Sequence, residues 1–138
     1  MRDSWRIIAL DQRGHGLSDR SPVFSRTGYV EDAAAVLEHL GVHGAAVLGH
    51  SLGGVNAYRL AAWLPGIVDA LIVEDVGAEV DDDSSFSRRS TVLSAEHATD
   101  MAARRPHTRR IELRAGHTVH ETVPEEFAAA VNGFLGSL

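Results

Sequence analysis

The sequence predicts an α/β fold with three layers, in which helices pack on both faces of a mostly parallel sheet. Apolar runs of strand length alternate with segments whose apolar residues recur at helical spacing. The strand-like runs are apolar throughout, which is typical of parallel strands that helices cover on both faces. The chain has 138 residues, 44% of them hydrophobic and 23% charged, and this composition predicts a single domain over 1–138.

The first half of the chain predicts two units in which a strand is followed by a helix. The run WRIIAL at 5–10 predicts a strand that leads into the glycine-rich loop DQRGHGLSDRSP. Residues 29–41 predict a helix that ends at Gly41, because glycine commonly follows the last helical residue. AAVLG at 45–49 predicts the next strand, and 52–65 predict a helix that ends at a proline.

The second half predicts two further strands and two helices. The run DALIVED at 69–75 predicts the third strand, and RRIEL at 109–113 predicts the fourth. Helices are predicted over 94–106 and 123–135, where serine and proline stand at the positions that they favour at helix starts. Residues 78–91 are polar and without a period, which indicates a surface linker.

Composition excludes several classes of partner and chemistry. The net charge is −6 and no basic stripe is present, so nucleic acid is not an expected partner. The apolar runs are far shorter than the roughly 20 residues that a membrane helix needs, and no export signal stands at the start, so we expect a cytoplasmic protein. The chain has no cysteine, and we expect no cofactor, no metal and a small molecule as ligand.

The most informative stretch is VLGHSLGG, in which Ser51 stands between an apolar run and a helical segment. A Gly-x-Ser-x-Gly pattern at a sharp strand-to-helix turn is typical of a nucleophilic serine, because the glycines permit close packing while the hydroxyl stays exposed. Gly49 and Gly53 are the glycines of this pattern, and we expect His50 to pack beside the turn.

A serine nucleophile needs a histidine base and an acid that orients it. His117 stands in a loop directly after the fourth predicted strand, and Asp75 ends the third. Parallel strands end at the same edge of a sheet, so we expect Ser51, Asp75 and His117 to lie close together. The chain order of serine, acid and histidine also fits this type of turn.

These pieces together resemble the α/β-hydrolase superfamily, in particular its single-domain serine hydrolases with a cap. The resemblance rests on ALDQRGHGLSD, VLGHSLGG, LIVEDVGAE and AGHTVHETVPEEF, which occur in the family's order over most of 5–77 and 90–137. It implies a carboxylesterase-like enzyme that acts on a small ester or related acyl substrate through an acyl-enzyme. Ser51 would be the nucleophile, His117 the base, and the Leu52 backbone N–H one donor to the oxyanion.

The acid has more than one candidate. In much of the family it follows a later strand, and at the corresponding position this sequence has Ser90, which cannot serve. Some relatives carry the acid after the earlier strand, where Asp75 stands, and we favour that residue. Glu74 and Glu79 are the poorer candidates nearby.

The sequence also departs from the family's pattern. The family's opening strands, and the His-Gly loop that supplies a second oxyanion donor, have no counterpart in it, and 78–91 stand where the family has its cap. Another strand of the family's sheet lies between those that correspond to 5–10 and 45–49. We therefore expect unpaired strand edges and self-association into a homo-oligomer.

These departures leave other hypotheses open. The chain could be a catalytically impaired remnant, or a ligand-binding protein of the same fold, and its stability as an independent protein is a separate question. Acyl transfer, carbon–carbon bond hydrolysis and cofactor-free haloperoxidase activity also stay open within the family.

Overall fold

The computed structural model describes residues 5–75, 99, 103 and 107–138. The helices are α1 (Arg26–His39), α2 (Leu52–Trp63), α3 (Val119–Thr122) and α4 (Pro124–Leu135), and the strands are β1 (Ala45–His50) and β2 (Val68–Glu74). The predicted linker at 78–91 lies outside the described residues. So does most of the helix predicted over 94–106, although Thr99 and Ala103 are helical.

The centre of the fold is a parallel pair of strands joined by a helix. β1 and β2 pair in parallel from Ala46 opposite Ala70 to His50 opposite Glu74, with an irregularity after Ala45. α2 is the crossover between them, as parallel pairing requires. The predicted strand–helix–strand unit is therefore confirmed, and both strands end at the same edge of the sheet.

α1 packs against α2 and has a defined start and end. It begins at Arg26 rather than at the predicted Tyr29, because the Ser25 side chain accepts a hydrogen bond from the Gly28 N–H at 3.0 Å and caps the helix. The predicted stop at Gly41 is confirmed. Gly41 has a φ of 61°, a left-handed conformation that glycine adopts without steric cost.

The core is small and lies between the helices and the strand pair. α1 and α2 supply most of the buried apolar side chains, and β2 and α4 supply one each. These residues are Tyr29, Val30, Val55, Ala57, Leu60, Ala70 and Val131. α2 contributes three of them, so the helix that follows Ser51 packs its apolar face against the rest of the core.

The strands predicted at 5–10 and 109–113 are wrong for the structure described. Neither segment forms a strand, although each has the length of a strand and apolar residues within it. A strand exists through backbone hydrogen bonds to a neighbour, and the described residues provide no such neighbour for either segment. Apolar side chains consequently stay exposed there, among them Ile7 (64%) and Ile111 (44%).

No helix in the described ranges is both long enough and apolar enough to cross a bilayer.

Candidate active site

Ser51 occupies the single-residue turn between β1 and α2. Its backbone has φ 50° and ψ −118°, a strained conformation for a residue with a side chain. The turn needs glycine at position 49, because a Cβ there would collide with the Gly53 carbonyl and lie 2.7 Å from the Gly54 nitrogen. At Gly53 the nearest atom to an added Cβ is Gln12 Nε2 at 3.4 Å, so that position is less restricted.

The structure brings together the three side chains that the sequence analysis singled out. Ser51 Oγ lies 3.0 Å from His117 Nε2, and His117 Nδ1 lies 2.7 Å from Asp75 Oδ2. A carboxylate only accepts hydrogen bonds, so Nδ1 carries the imidazole proton and Nε2 is left to accept from the Ser51 hydroxyl. The His117 side chain is 37% exposed and that of Asp75 18%, which leaves the chain of hydrogen bonds open to a ligand on one side.

Glu74, the one alternative acid among the described residues, has a different partner from His117. The Glu74 carboxylate contacts His120 instead, at 2.8 Å from its Nδ1. Glu79 and Ser90 lie outside the described residues. Asp75, whose φ of 47° turns the chain at the end of β2, is the acid that contacts His117.

The Leu52 N–H lies at the start of α2, directly after Ser51. The first N–H groups of a helix have no acceptor within the helix, and the helix dipole makes that end electropositive. The site thus places a positive helix end beside the Ser51 hydroxyl, where an anion would be favoured.

The glycine-rich loop at 11–18 holds its shape through side-chain hydrogen bonds and contacts α2. Asp11 accepts from the Leu17 N–H at 3.0 Å, and Gln12 accepts from the buried Asn56 side chain at 2.5 Å. Arg13 binds Asp32 of α1 with two nitrogens, at 2.6 and 2.7 Å. These contacts fix the loop against both helices.

The pair of Arg13 and Asp32 is the strongest charge interaction in this loop. The hydrogen bonds from the guanidinium hold the pKa of the Asp32 carboxyl below its usual value of 3.8, and the same contact raises the pKa of Arg13. Both side chains are partly exposed, so water screens the attraction. The pair therefore orients the loop more than it stabilises the fold.

Sequence reasoning missed two contacts around His117. His50, expected only to pack beside the turn, donates from Nε2 to the His117 backbone carbonyl at 2.8 Å. The other contact joins Glu74 to His120. The one sequence signal for it is a carboxylate inside the apolar run of β2, because a charge in a buried strand needs a partner.

Among 5–75 and 107–138, no three side chains of the His, Cys, Asp or Glu type are grouped so that they could hold a metal ion.

The comparison with known proteins agrees with this architecture. The family model described as the alpha/beta hydrolase fold matches residues 2–118. The chain belongs to this family.

Curated relatives are similar in sequence to parts of this chain. The chain is 30% identical over 112 residues to the mouse (Mus musculus) sn-1-specific diacylglycerol lipase ABHD11, covering 81% of this chain and 36% of that protein. It is 44% identical over 65 residues to the bifunctional esterase/perhydrolase DCH of Acinetobacter calcoaceticus, covering 46% and 24%. The chain thus spans about a quarter to about a third of the length of these relatives.

A solved structure matches over a larger share of both chains. It is a predicted CIB-like hydrolase from Thermoplasma acidophilum, with 25% identity and a TM-score of 0.76. The match covers 92% of this chain and 70% of that one.

Proposed function

We propose that this chain is a serine hydrolase that cleaves a small ester or a related acyl substrate. The observation that carries the proposal is the continuous line of hydrogen bonds from Asp75 through His117 to Ser51, with distances of 2.7 and 3.0 Å. In this arrangement the serine is the nucleophile, the histidine the general base, and the aspartate the group that orients the imidazole.

The reaction follows from the placement of the proton on His117. Ser51 Oγ attacks the substrate carbonyl carbon while its proton passes to His117 Nε2, and a tetrahedral intermediate forms. His117 then gives that proton to the leaving alcohol, the carbon–oxygen bond breaks, and an acyl group stays on Ser51. Water repeats the sequence, so that a carboxylic acid leaves and Ser51 is free again.

The negative charge of the intermediate needs donors that are in place beforehand. We assign the Leu52 N–H as one donor, because it follows the nucleophile directly and begins α2. Removal of one such donor typically costs about 10² to 10³ in rate.

The relatives support the ester class without naming a substrate for this chain. The mouse protein is named as a diacylglycerol lipase and the Acinetobacter protein as an esterase/perhydrolase, and both names describe chemistry on ester or acyl groups. From the sequence analysis alone we also propose a cytoplasmic location, which fractionation of cell extracts would test.

Hydrolysis of p-nitrophenyl acetate and butyrate by the purified chain tests the proposal. We expect turnover that Ser51→Ala strongly reduces, because the variant lacks the hydroxyl that forms the acyl-enzyme, while binding and the oxyanion donor leave a residual rate. A matched control is Ser21→Ala, because the Ser21 hydroxyl bonds the Val23 backbone and not His117. Wild-type protein that folds but shows no turnover above Ser51→Ala would contradict the proposal and favour a ligand-binding role.

A further inference from the structure

A buried carboxylate that the proposed mechanism does not use lies next to Asp75. Glu74 is the last residue of β2, and it is 5% exposed. A buried charge is costly unless hydrogen bonds compensate it. Its carboxylate accepts from the backbone N–H of His120 at 2.9 Å and faces His120 Nδ1 with both oxygens, at 2.8 and 3.0 Å. Both the backbone and the side chain of His120 therefore bind this one carboxylate.

Glu74 connects the three parts of the chain that meet at the candidate site. Its backbone carbonyl accepts from the Ser51 N–H at 3.1 Å, and it directly precedes Asp75. Its carboxylate holds His120, which stands three residues after His117 in the sequence. One residue thus links the serine turn, the acid and the loop that carries the histidine.

The histidine loop has few other attachments. Within the described residues, the one backbone–backbone hydrogen bond that involves 114–117 joins the Ala115 N–H to the Leu113 carbonyl at 3.0 Å. Side chains hold the loop instead. The His50 ring lies near those of both His117 and His120, with centroids 4.6 and 5.3 Å away, and its Nε2 donates to the His117 carbonyl.

We propose that Glu74 and His120 are positioning residues for the reaction: their hydrogen bonds fix the loop so that His117 Nε2 stays within reach of Ser51 Oγ. The inference rests on the proposed function. His120 is the second residue of α3, so its attachment to the end of β2 sets where the loop that precedes the helix leaves the sheet edge. A displacement of about 1 Å at a reacting group can cost roughly 10²-fold in rate. The pair needs no contact with substrate to have this effect.

The exchange of His120 for two other residues tests this role. Asparagine can place an amide N–H near the position of His Nδ1 and keep the hydrogen bond to Glu74, whereas leucine cannot. We expect His120→Leu to lower kcat for p-nitrophenyl acetate by about 10- to 100-fold with KM unchanged, and His120→Asn to restore most of kcat. The His120 side chain is 41% exposed, so the fold should tolerate both changes, which thermal unfolding checks.

A spectroscopic measurement reports on His117 itself. The proton between His117 Nδ1 and Asp75 should give a downfield resonance in proton NMR, assigned by its loss in Asp75→Asn. We expect His120→Leu to broaden or shift this resonance, and His43→Leu to leave it unchanged. His43 is an exposed histidine that precedes β1, at the end of that strand away from Ser51.

The outcomes separate this inference from the proposed function. Wild-type kcat and an unchanged resonance in His120→Leu would overturn the positioning role, whatever the activity. Absence of Ser51-dependent turnover in the wild type would overturn the proposed function alone, and the resonance would then decide the positioning role. Glu74→Gln, which keeps the shape and loses the charge, should shift the same resonance. If that variant does not fold, the two His120 variants carry the test.

Discussion

Two regions with the same kind of sequence signal have different structures. At the carboxyl ends of β1 and β2, short motifs form a turn, a strand pair and a line of hydrogen bonds through Ser51, His117 and Asp75. The segments at 5–10 and 109–113, which were also predicted to be strands, join no strand among the described residues, and apolar side chains in them are exposed. The structure of the first region is determined by the βαβ unit that contains it. Strand formation in the second region would need a neighbouring strand. This difference shows that a sequence pattern can indicate that a segment is able to form a strand, but not which neighbouring strand would pair with it.

The largest expected effect in the first region concerns the acid. Asp75→Asn keeps the side-chain shape and permits the wrong imidazole tautomer, so we expect kcat to fall by about 10⁴-fold, measured with p-nitrophenyl acetate. Asp69→Asn is the matched control, because Asp69 is exposed near the other end of β2. Equal activity of Asp75→Asn and wild type would mean that another carboxylate orients His117.

The turn itself should be sensitive to a single methyl group. Gly49→Ala forces a Cβ against the backbone of Gly53 and Gly54, and we expect it to lower the free energy of unfolding by about 1–3 kcal/mol. Gly133→Ala is its counterpart in α4, where nothing lies within 4 Å of the added Cβ, and it should add about 0.5–1 kcal/mol. Urea denaturation measures both changes. Changes of the free energy of unfolding in the same direction in both variants would contradict the different packing at Gly49 and Gly133.

We propose that the exposed apolar residues of the segments at 5–10 and 109–113 support self-association of this chain. Ile7 and Ile111 are 64% and 44% exposed, and unpaired apolar segments of strand length are prone to pair with another chain. Sedimentation velocity should find dimers or larger species that Ile7→Lys shifts toward monomer. Val23→Lys is the control, because Val23 is exposed outside both runs. A monomeric wild type at working concentration would contradict this proposal.

The smallest expected effect concerns the link between the glycine-rich loop and α1. Arg13 lowers the pKa of Asp32, so the unfolded state binds a proton at a higher pH than the folded state does. The pair therefore adds stability above the usual carboxyl pKa, and this contribution is lost as the pH falls through the lowered value. Thermal unfolding should show a small difference between wild type and Asp32→Asn at pH 7 that shrinks below pH 3.8. A difference that grows on acidification would contradict this role.

The elements that the sequence predicted well carry their signal locally. The helices of 52–65 and 123–135 were predicted to within two residues of α2 and α4, because their apolar faces lie within the helices and a proline marks one end of each. The parallel pair followed from two apolar runs separated by one helix. By contrast, strand pairing at 5–10 needs a partner strand that is distant in the sequence. The local pattern of apolar residues does not identify such a partner.

The same distinction applies to the candidate site. Ser51 has a glycine turn around it, Asp75 ends the third predicted strand and His117 stands after the fourth, and this topology predicted that the three meet at one edge. Because 109–113 form no strand among the described residues, the position of His117 depends on side-chain contacts of its loop instead. Glu74 and His120 are 46 residues apart and have no such motif. Strand alternation indicates that Glu74 and Asp75 point to opposite faces, but not that a second histidine of the loop meets Glu74. That contact depends on the path of the loop.

Labelling with a fluorophosphonate tests whether Ser51 is a nucleophile activated by His117. The probe reacts only with a serine whose proton is removed, and intact mass with peptide mapping locates the adduct. The account predicts one label, on Ser51, which is lost in Ser51→Ala and strongly reduced in His117→Ala. A folded wild-type chain, checked by circular dichroism, that takes up no label or takes it up equally without His117 would contradict the account.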